Sequence, residues 1–323
     1  MSRLRLFPCS TYALAFAVLL LASAAHGASG DPAPRAVDVG AGGASRSILL
    51  AGETAGDHAR PLILALHGGG SNARAFAAET GLAAAAAERG FVVAFLEGSG
   101  TTPGARTFNS GACCGHAQAN QIDDVDYARR VVATLAAQGL ADPARVYAVG
   151  FSNGGMMAYR LAAQAPELVA GVAVVSGTLD IDPALARVAK PVLHIHGTVD
   201  PYVPYAGGVG AKATTAKPRL AVEAALETWA RLGCGGASRP VARRTESLPD
   251  AAGDGTRVER REYGCAGAPP AVLYVIDGGG HAWPSGRGPA NPESGTRSRN
   301  LDATAAAVSF FSALAAPASG DSR

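Results

Sequence analysis

Residues 145–161 read Arg145-Val146-Tyr147-Ala148-Val149-Gly150-Phe151-Ser152-Asn153-Gly154-Gly155-Met156-Met157-Ala158-Tyr159-Arg160-Leu161. The run begins as a short apolar strand and ends as a helix pattern, with Gly-x-Ser-x-Gly at the junction. A serine placed there sits on a sharp turn with unfavourable backbone angles. Its neighbours two residues away on either side must then be nearly free of side chain. The helix that starts behind the serine points its amide dipoles at negative charge developing on the turn. The pattern predicts Ser152 as a nucleophile at the end of a buried strand.

Short apolar strands recur on both sides of this junction, at Leu62 to Leu66, Phe91 to Leu96, Val172 to Val175, Val192 to Ile195 and Val272 to Ile276. Helical stretches alternate with them at about Ala73 to Arg89, Val125 to Gln138, Gly154 to Ala165 and Leu220 to Leu232, and a last one covers about Thr304 to Ala315. Continuously apolar strands are buried on both faces. Their alternation with helices predicts an α/β fold with one mostly parallel central sheet flanked by helices. The run Ser45-Arg46-Ser47-Ile48-Leu49-Leu50 offers antiparallel edge strands. Glu97 to Gln121 and Gly207 to Pro218 carry neither period and read as loops, which on a rigid sheet are often functional. No linker or repeat divides residues 46–323, expected to be a single catalytic domain, and the Pro/Gly/Ala-rich residues 28–45 read as a flexible lead-in.

Residues 1–27 have a different character. Arg3 and Arg5 precede an apolar run from Tyr12 to Leu21 and then the small residues Ala22 to Ala28. A basic head, a short apolar middle and a small-residue exit describe a secretory signal peptide, with cleavage expected between Ala25 and Ser29. The apolar run is shorter than the ~20 residues a membrane-spanning helix needs. The expected location is therefore secreted, extracellular or periplasmic.

A serine hydroxyl needs a base to take its proton. In the α/β-hydrolase arrangement the chain order is serine, acid, histidine, with the histidine on a loop after the final strand. His281, in Asp277-Gly278-Gly279-Gly280-His281-Ala282-Trp283-Pro284, is the histidine that fits. His194 and His196 flank a strand end and read as structural, and His116 lies in a cysteine-bearing loop. The acid should follow a strand end between the two. Asp200, in His196-Gly197-Thr198-Val199-Asp200-Pro201, does so, and Asp180 and Asp182 are the alternatives. Acyl transfer also needs preorganised N–H donors for an oxyanion. The backbone of Asn153 is one, and the glycines of His67-Gly68-Gly69-Gly70-Ser71 supply the other. That run is no phosphate loop, because no Gly-Lys-Ser/Thr follows it.

Charge narrows the partners. Basic residues number 28 and acidic residues 26, and without Arg3 and Arg5 the two balance. A neutral chain with no basic run is a poor nucleic-acid binder and, once the signal is removed, a poor membrane binder. The hydrophobic share of 48% against 17% charged excludes a disordered chain. Of five cysteines, Cys9 leaves with the signal and Cys113, Cys114, Cys234 and Cys265 remain. In an oxidising compartment an even number suggests disulfides. We expect Cys234 to pair with Cys265, leaving Cys113 and Cys114 as a vicinal bridge or as free thiols. No Cys-x-x-Cys spacing supports a metal site.

Leu66-His67-Gly68-Gly69-Gly70, Cys113-Cys114-Gly115, Gly150-Phe151-Ser152-Asn153-Gly154-Gly155-Met156-Met157, His194-Ile195-His196-Gly197-Thr198-Val199-Asp200 and Gly279-Gly280-His281-Ala282-Trp283-Pro284 together resemble one group. It is the polyhydroxybutyrate-depolymerase and feruloyl-esterase family of secreted α/β-hydrolases, similar to carbohydrate esterase family 1. The resemblance implies Ser152, Asp200 and His281 as a catalytic triad, Gly69 as an oxyanion position, and Trp283 as a wall of the substrate cleft. Depolymerase-like members often carry a cysteine where this chain has Gly69. The expected activity is a serine carboxylester hydrolase that needs no cofactor. It would act on feruloyl or similar short acyl esters, free or borne on a plant polysaccharide, and the alternative substrate is a 3-hydroxybutyrate polyester or oligomer.

Overall fold

Leu62, Leu64 and Leu66 join one apolar core, while Ile63 and Ala65, from the same strand, join another on the opposite face. A strand that is apolar at every position demands this, since alternate side chains point to opposite faces and both must be covered. The computed structural model describes residues 34–40, 46–53, 58–182, 185–186, 188–235 and 241–316. In chain order the strands are β1 (Arg35–Val39), β2 (Arg46–Ala51), β3 (Arg60–Leu66), β4 (Val92–Leu96), β5 (Ala141–Phe151), β6 (Gly171–Val175), β7 (Val192–Gly197), β8 (Val241–Ser247), β9 (Arg257–Gly264) and β10 (Ala271–Asp277). They form one sheet in the order β1-β2-β4-β3-β5-β6-β7-β10-β9-β8. The six strands from β4 to β10 in that order run parallel. Antiparallel strands close both edges. This is the α/β-hydrolase sheet.

The helices are α1 (Ala73–Thr80), α2 (Leu82–Ala87), α3 (Gly115–Ala119), α4 (Asp124–Ala137), α5 (Asn153–Gln164), α6 (Val222–Gly233) and α7 (Ala303–Ala315). On one face, Val131 and Leu135 of α4, Met157 and Leu161 of α5 and Leu226 and Trp229 of α6 share one core with Leu62, Leu64 and Leu66. On the other, Phe76 of α1, Leu82 of α2 and Val308 and Phe311 of α7 share a second core with Ile63 and Ala65. At roughly 25 cal/mol per Å² of apolar surface, burial on both faces is the main stabilising term.

Three expectations are corrected, and one hairpin was not foreseen. Residues 28–45 contain β1, which pairs with β2 from Arg35 opposite Leu50 to Val39 opposite Arg46. Its Val37 and Val39 are buried while Arg35 and Asp38 face water, a one-sided edge pattern too short to stand out in a Pro/Gly-rich stretch. The helix expected over Ala73 to Arg89 is two helices, because Gly81 turns left-handed at φ +62° between α1 and α2. Glu97 to Gln121 carries a 3₁₀ turn at Pro103–Ala105 and the short α3. The β8–β9 hairpin escaped notice because it is charged. In β9, Arg260 pairs with Glu262 and Arg261 with Glu259, which an antiparallel ribbon with one wet face allows. The expected signal segment 1–27 lies outside the described residues.

Candidate active site

β5 ends at Phe151 and α5 starts at Asn153, so Ser152 alone makes the turn. It does so at φ +53° and ψ −118°, a conformation that costs a residue with a side chain roughly 1–3 kcal/mol. The surroundings hold it there. The Ser152 N–H donates to the Val175 carbonyl at 2.8 Å, and its carbonyl accepts from Met156 N at 3.0 Å. A Cβ on Gly150 would collide with the Gly154 carbonyl, and one on Gly154 with the Leu66 carbonyl. The flanking glycines are needed for close approach of backbone, not for a positive φ.

His281 lies on the loop after β10, and Asp200 on the loop after β7. Their side chains meet at this turn. His281 Nε2 is 3.0 Å from Ser152 Oγ, across 129 residues of chain, and His281 Nδ1 is 2.7 Å from Asp200 Oδ2. The imidazole stands between the rings of Phe151 and Tyr202, with centroids at 4.9 and 5.0 Å. Asp200 Oδ1 accepts from the Tyr202 and Val203 amides, each at 2.8 Å. Burial alone would raise the Asp200 carboxyl, but hydrogen bonds from His196 and His281 outweigh it and hold the group well below the usual carboxylate range. An anionic carboxylate on Nδ1–H leaves Nε2 free to accept the serine proton.

Asp180, the alternative acid, faces elsewhere. It is buried against Arg219 and Ser110, where it ties two loops together. His116 meets Asn120 within α3 and its own turn.

The serine opens on a cavity of about 460 Å³, within the usual range for small-molecule sites. Gly69 and Asn153 both line it. Among the described residues, neither of their backbone N–H groups has a hydrogen-bond partner. The loop bearing Gly69 is braced by buried His67, whose Nδ1–H donates to Gly68 O at 2.8 Å while its Nε2 accepts from Gly98 N at 3.0 Å. The Asn153 side chain braces the other flank by bonding both backbone groups of Phe108, at 2.7 and 2.8 Å. Two donors beside an activated hydroxyl are the arrangement acyl transfer requires.

One wall of the cavity is apolar, formed by Met156, Val203 and the bridged pair Cys113–Cys114. Arg219, Thr214 and Thr215 make a polar wall. Sequence reasoning missed these last three, which sit in a loop without periodicity. Cys234 and Cys265 are bridged as expected, with Cα atoms 5.8 Å apart. Trp283 is the expectation the structure corrects. It is fully buried, donates its indole N–H to Thr304 Oγ1 at 3.0 Å and meets Phe76 edge-on, so it is core and not a cleft wall. Position beside the base suggested the cleft, but the chain turns inward after His281. Among the described residues, no group of three or more His, Cys, Asp or Glu is placed to hold a metal ion.

Residues 51–220, over half of the chain, match the phospholipase/carboxylesterase family. The chain belongs to that family. This carboxylesterase is a serine hydrolase of the α/β-hydrolase fold. It is 38% identical over 265 residues to the protein named as an esterase, NocK, of Nocardia uniformis subsp. tsuyamanensis, with 78% of this chain and 74% of that one covered. It is 30% identical over 240 residues to feruloyl esterase B of Piromyces equi, covering 72% of this chain and 41% of the fungal protein, so it spans less than half of that relative. Among solved structures it resembles the acetyl xylan esterase from Aspergillus awamori at a TM-score of 0.54 and 15% identity, covering 76% of this chain and 93% of that one. At that identity the likeness of this carboxylesterase concerns the fold alone.

Proposed function

We propose that the carboxylesterase works through an acyl-enzyme on Ser152, with His281 as base and Asp200 as the acid that orients it. The observation that carries this reading is the continuous chain Asp200–His281–Ser152, at 2.7 and 3.0 Å, opening on the cavity beside the Gly69 and Asn153 amides. His281 takes the Ser152 proton as Oγ attacks the ester carbonyl. The oxyanion is held by the two amides, each worth roughly 3 kcal/mol. His281 then protonates the departing alcohol. Water activated by the same imidazole adds to the acyl-enzyme, and the acid leaves.

The substrate is a feruloyl or similar short acyl ester, including esters borne on plant polysaccharide. Supporting this are the named activity of the Piromyces relative and a cavity with one apolar and one polar wall, suited to an aromatic ring with oxygen substituents. The protein is exported, as residues 1–27 suggest. N-terminal sequencing of protein from a secreting host should find a start between Ala25 and Ser29.

The deciding experiment is an ester panel with purified mature protein. p-Nitrophenyl acetate should be turned over by the wild type and not by Ser152→Ala. Methyl ferulate should outrun 3-hydroxybutyrate oligomers in kcat/KM. Turnover of the oligomers alone would overturn the substrate assignment and favour a polyester hydrolase. Undiminished turnover by Ser152→Ala would overturn the mechanism.

A further inference from the structure

Behind Asp200, on the side away from His281, three polar side chains cross the apolar core in line. Tyr159 on α5, His194 and His196 are exposed by 0%, 0% and 1%. The two histidines are spaced i, i+2 on β7, so both point to the same face of the sheet. Tyr159 Oη lies 2.9 Å from His194 Nδ1, and His194 Nε2 lies 3.1 Å from His196 Nδ1. His196 Nε2 then reaches two oxygens, Val203 O at 2.8 Å and Asp200 Oδ2 at 3.3 Å.

The protons follow from the acceptors at the end of this line. A carbonyl and a carboxylate only accept, so His196 Nε2 carries hydrogen. His196 Nδ1 accepts from His194 Nε2 when each imidazole carries one hydrogen. That leaves His194 Nδ1 bare, to accept from the Tyr159 hydroxyl. In that orientation the links among Tyr159, His194 and His196 all donate toward the turn that carries Asp200, and the Gly177 backbone also bonds the His194 ring. Burial, and next the neighbouring His196, hold the His194 imidazole well below its ordinary range, which agrees with a neutral ring.

We propose that His196 is a positioning residue for the reaction, fixing the Asp200 carboxylate so that Oδ2 faces His281, and that His194 and Tyr159 fix His196 in turn. This rests on the reading of Asp200 as the acid. Burying three polar groups in an apolar core is costly unless each is bonded, and an apolar trio would fill the same space. What the polar trio delivers is a single N–H to the turn that carries the acid. That turn is closed from both ends. The Val203 amide donates to Asp200 Oδ1, while the His196 N–H donates to Val203 O and lies 3.3 Å from Asp200 Oδ2. The carboxylate is thereby held in rotation as well as in place. The line also ties the acid to α5, the helix that begins beside Ser152, so nucleophile and acid share one rigid brace.

The test compares three substitutions at one position by kcat, KM and thermal melting on p-nitrophenyl acetate. Removing the donor with His196→Leu should lower kcat on the order of 10–100-fold, as expected when a catalytic group drifts by a fraction of an ångström, with KM within about twofold. His196→Gln places an amide N–H at the reach of Nε2 and should recover kcat to within about fivefold of wild type. His196→Asn places its amide only at the reach of Nδ1. It satisfies His194 but not Asp200, and should stay as slow as the leucine variant. If His196→Leu does not fold, the glutamine and asparagine variants, both polar and both small enough for the site, decide the matter by themselves. Equal kcat in those two would overturn the proposal, as would wild-type kcat in a folded His196→Leu. Asp200→Asn in the same series separates the two readings. Wild-type kcat there means Asp200 is not the acid, whereas a loss there without a loss at residue 196 removes only the role given to His196.

Discussion

The indole of Trp283 meets the ring of Phe76 edge-on, with centroids 5.4 Å apart and planes at 88°. Trp283 is two residues from His281 yet belongs to the packing of α1 against the sheet. Its Nε1–H donates to Thr304 Oγ1, which in turn donates to Thr80 O at 2.7 Å. Trp283→Ala should therefore cost about 3–5 kcal/mol of stability, as large-to-small core changes do. KM for methyl ferulate, measured well below the melting transition, should move by less than about twofold. A large rise in KM without loss of melting temperature would return Trp283 to the substrate cleft.

The glycines around the serine should respond unequally to alanine. A Cβ on Gly154 meets the Leu66 carbonyl, which the sheet fixes in place, so Gly154→Ala should fail to accumulate as folded protein. A Cβ on Gly69 has its nearest neighbours, Asn153 Cβ and Thr107 Cγ2, at 3.7 Å, an ordinary contact. Gly69→Ala should keep stability within ~1 kcal/mol and retain most activity, because the group the reaction uses there is the backbone N–H. Melting curves and kcat on p-nitrophenyl acetate check both.

Asp200→Asn should lower kcat on the order of 10³–10⁴-fold with little change in KM, by leaving His281 in the wrong tautomer. The same substitution should change the response to acid. The Asp200 carboxyl is held below its ordinary range, so its hydrogen bonds add stability at neutral pH. That increment is full above the unfolded carboxylate value of about 3.9 and disappears as pH falls through the lower folded value. Melting temperature plotted against pH should thus fall less steeply below about pH 4 in Asp200→Asn than in wild type.

The two disulfides should separate in what they do. Cys234 and Cys265 are 31 residues apart, and opening that loop should cost about 3–4 kcal/mol in the chain-entropy model. Cys113 and Cys114 are adjacent and close no loop to speak of, but they form part of the apolar cavity wall with Met156 and Val203. Cys234→Ser with Cys265→Ser should lower the melting temperature and leave KM nearly unchanged. Cys113→Ser with Cys114→Ser should do the reverse, raising KM for methyl ferulate more than for p-nitrophenyl acetate. Equal effects of the two pairs on KM would argue against a wall at Cys113–Cys114.

Local pattern carried the reading a long way where one chemical property ran along consecutive residues. The six parallel strands each hold a run of mostly apolar residues because helices cover both their faces, so each is visible as a run. β1 and β8 are the edge strands and β9 the antiparallel strand next to β8, and their arginines, aspartate and glutamates look like loop. The turn at Ser152 was legible because backbone crowding at Gly150 and Gly154 leaves a spelling in the sequence. The cavity wall at Thr214, Thr215 and Arg219 leaves none, since a loop residue is chosen by what it faces.

Asp180 and Asp200 show where that boundary falls. Both follow a strand end between Ser152 and His281, and in the sequence only the motif from His194 to Asp200 favours the second. The fold places one beside Arg219 and the other beside His281. By itself the sequence determined the six parallel strands, most of the helices between them and the serine on its turn, because these depend on residues within a few positions of one another. Tertiary structure brought Asp200, already favoured by its motif, to the imidazole, and it alone decided that Trp283 is core and which buried histidines line up behind the acid. Those depend on distances between residues tens of positions apart, which no local pattern encodes.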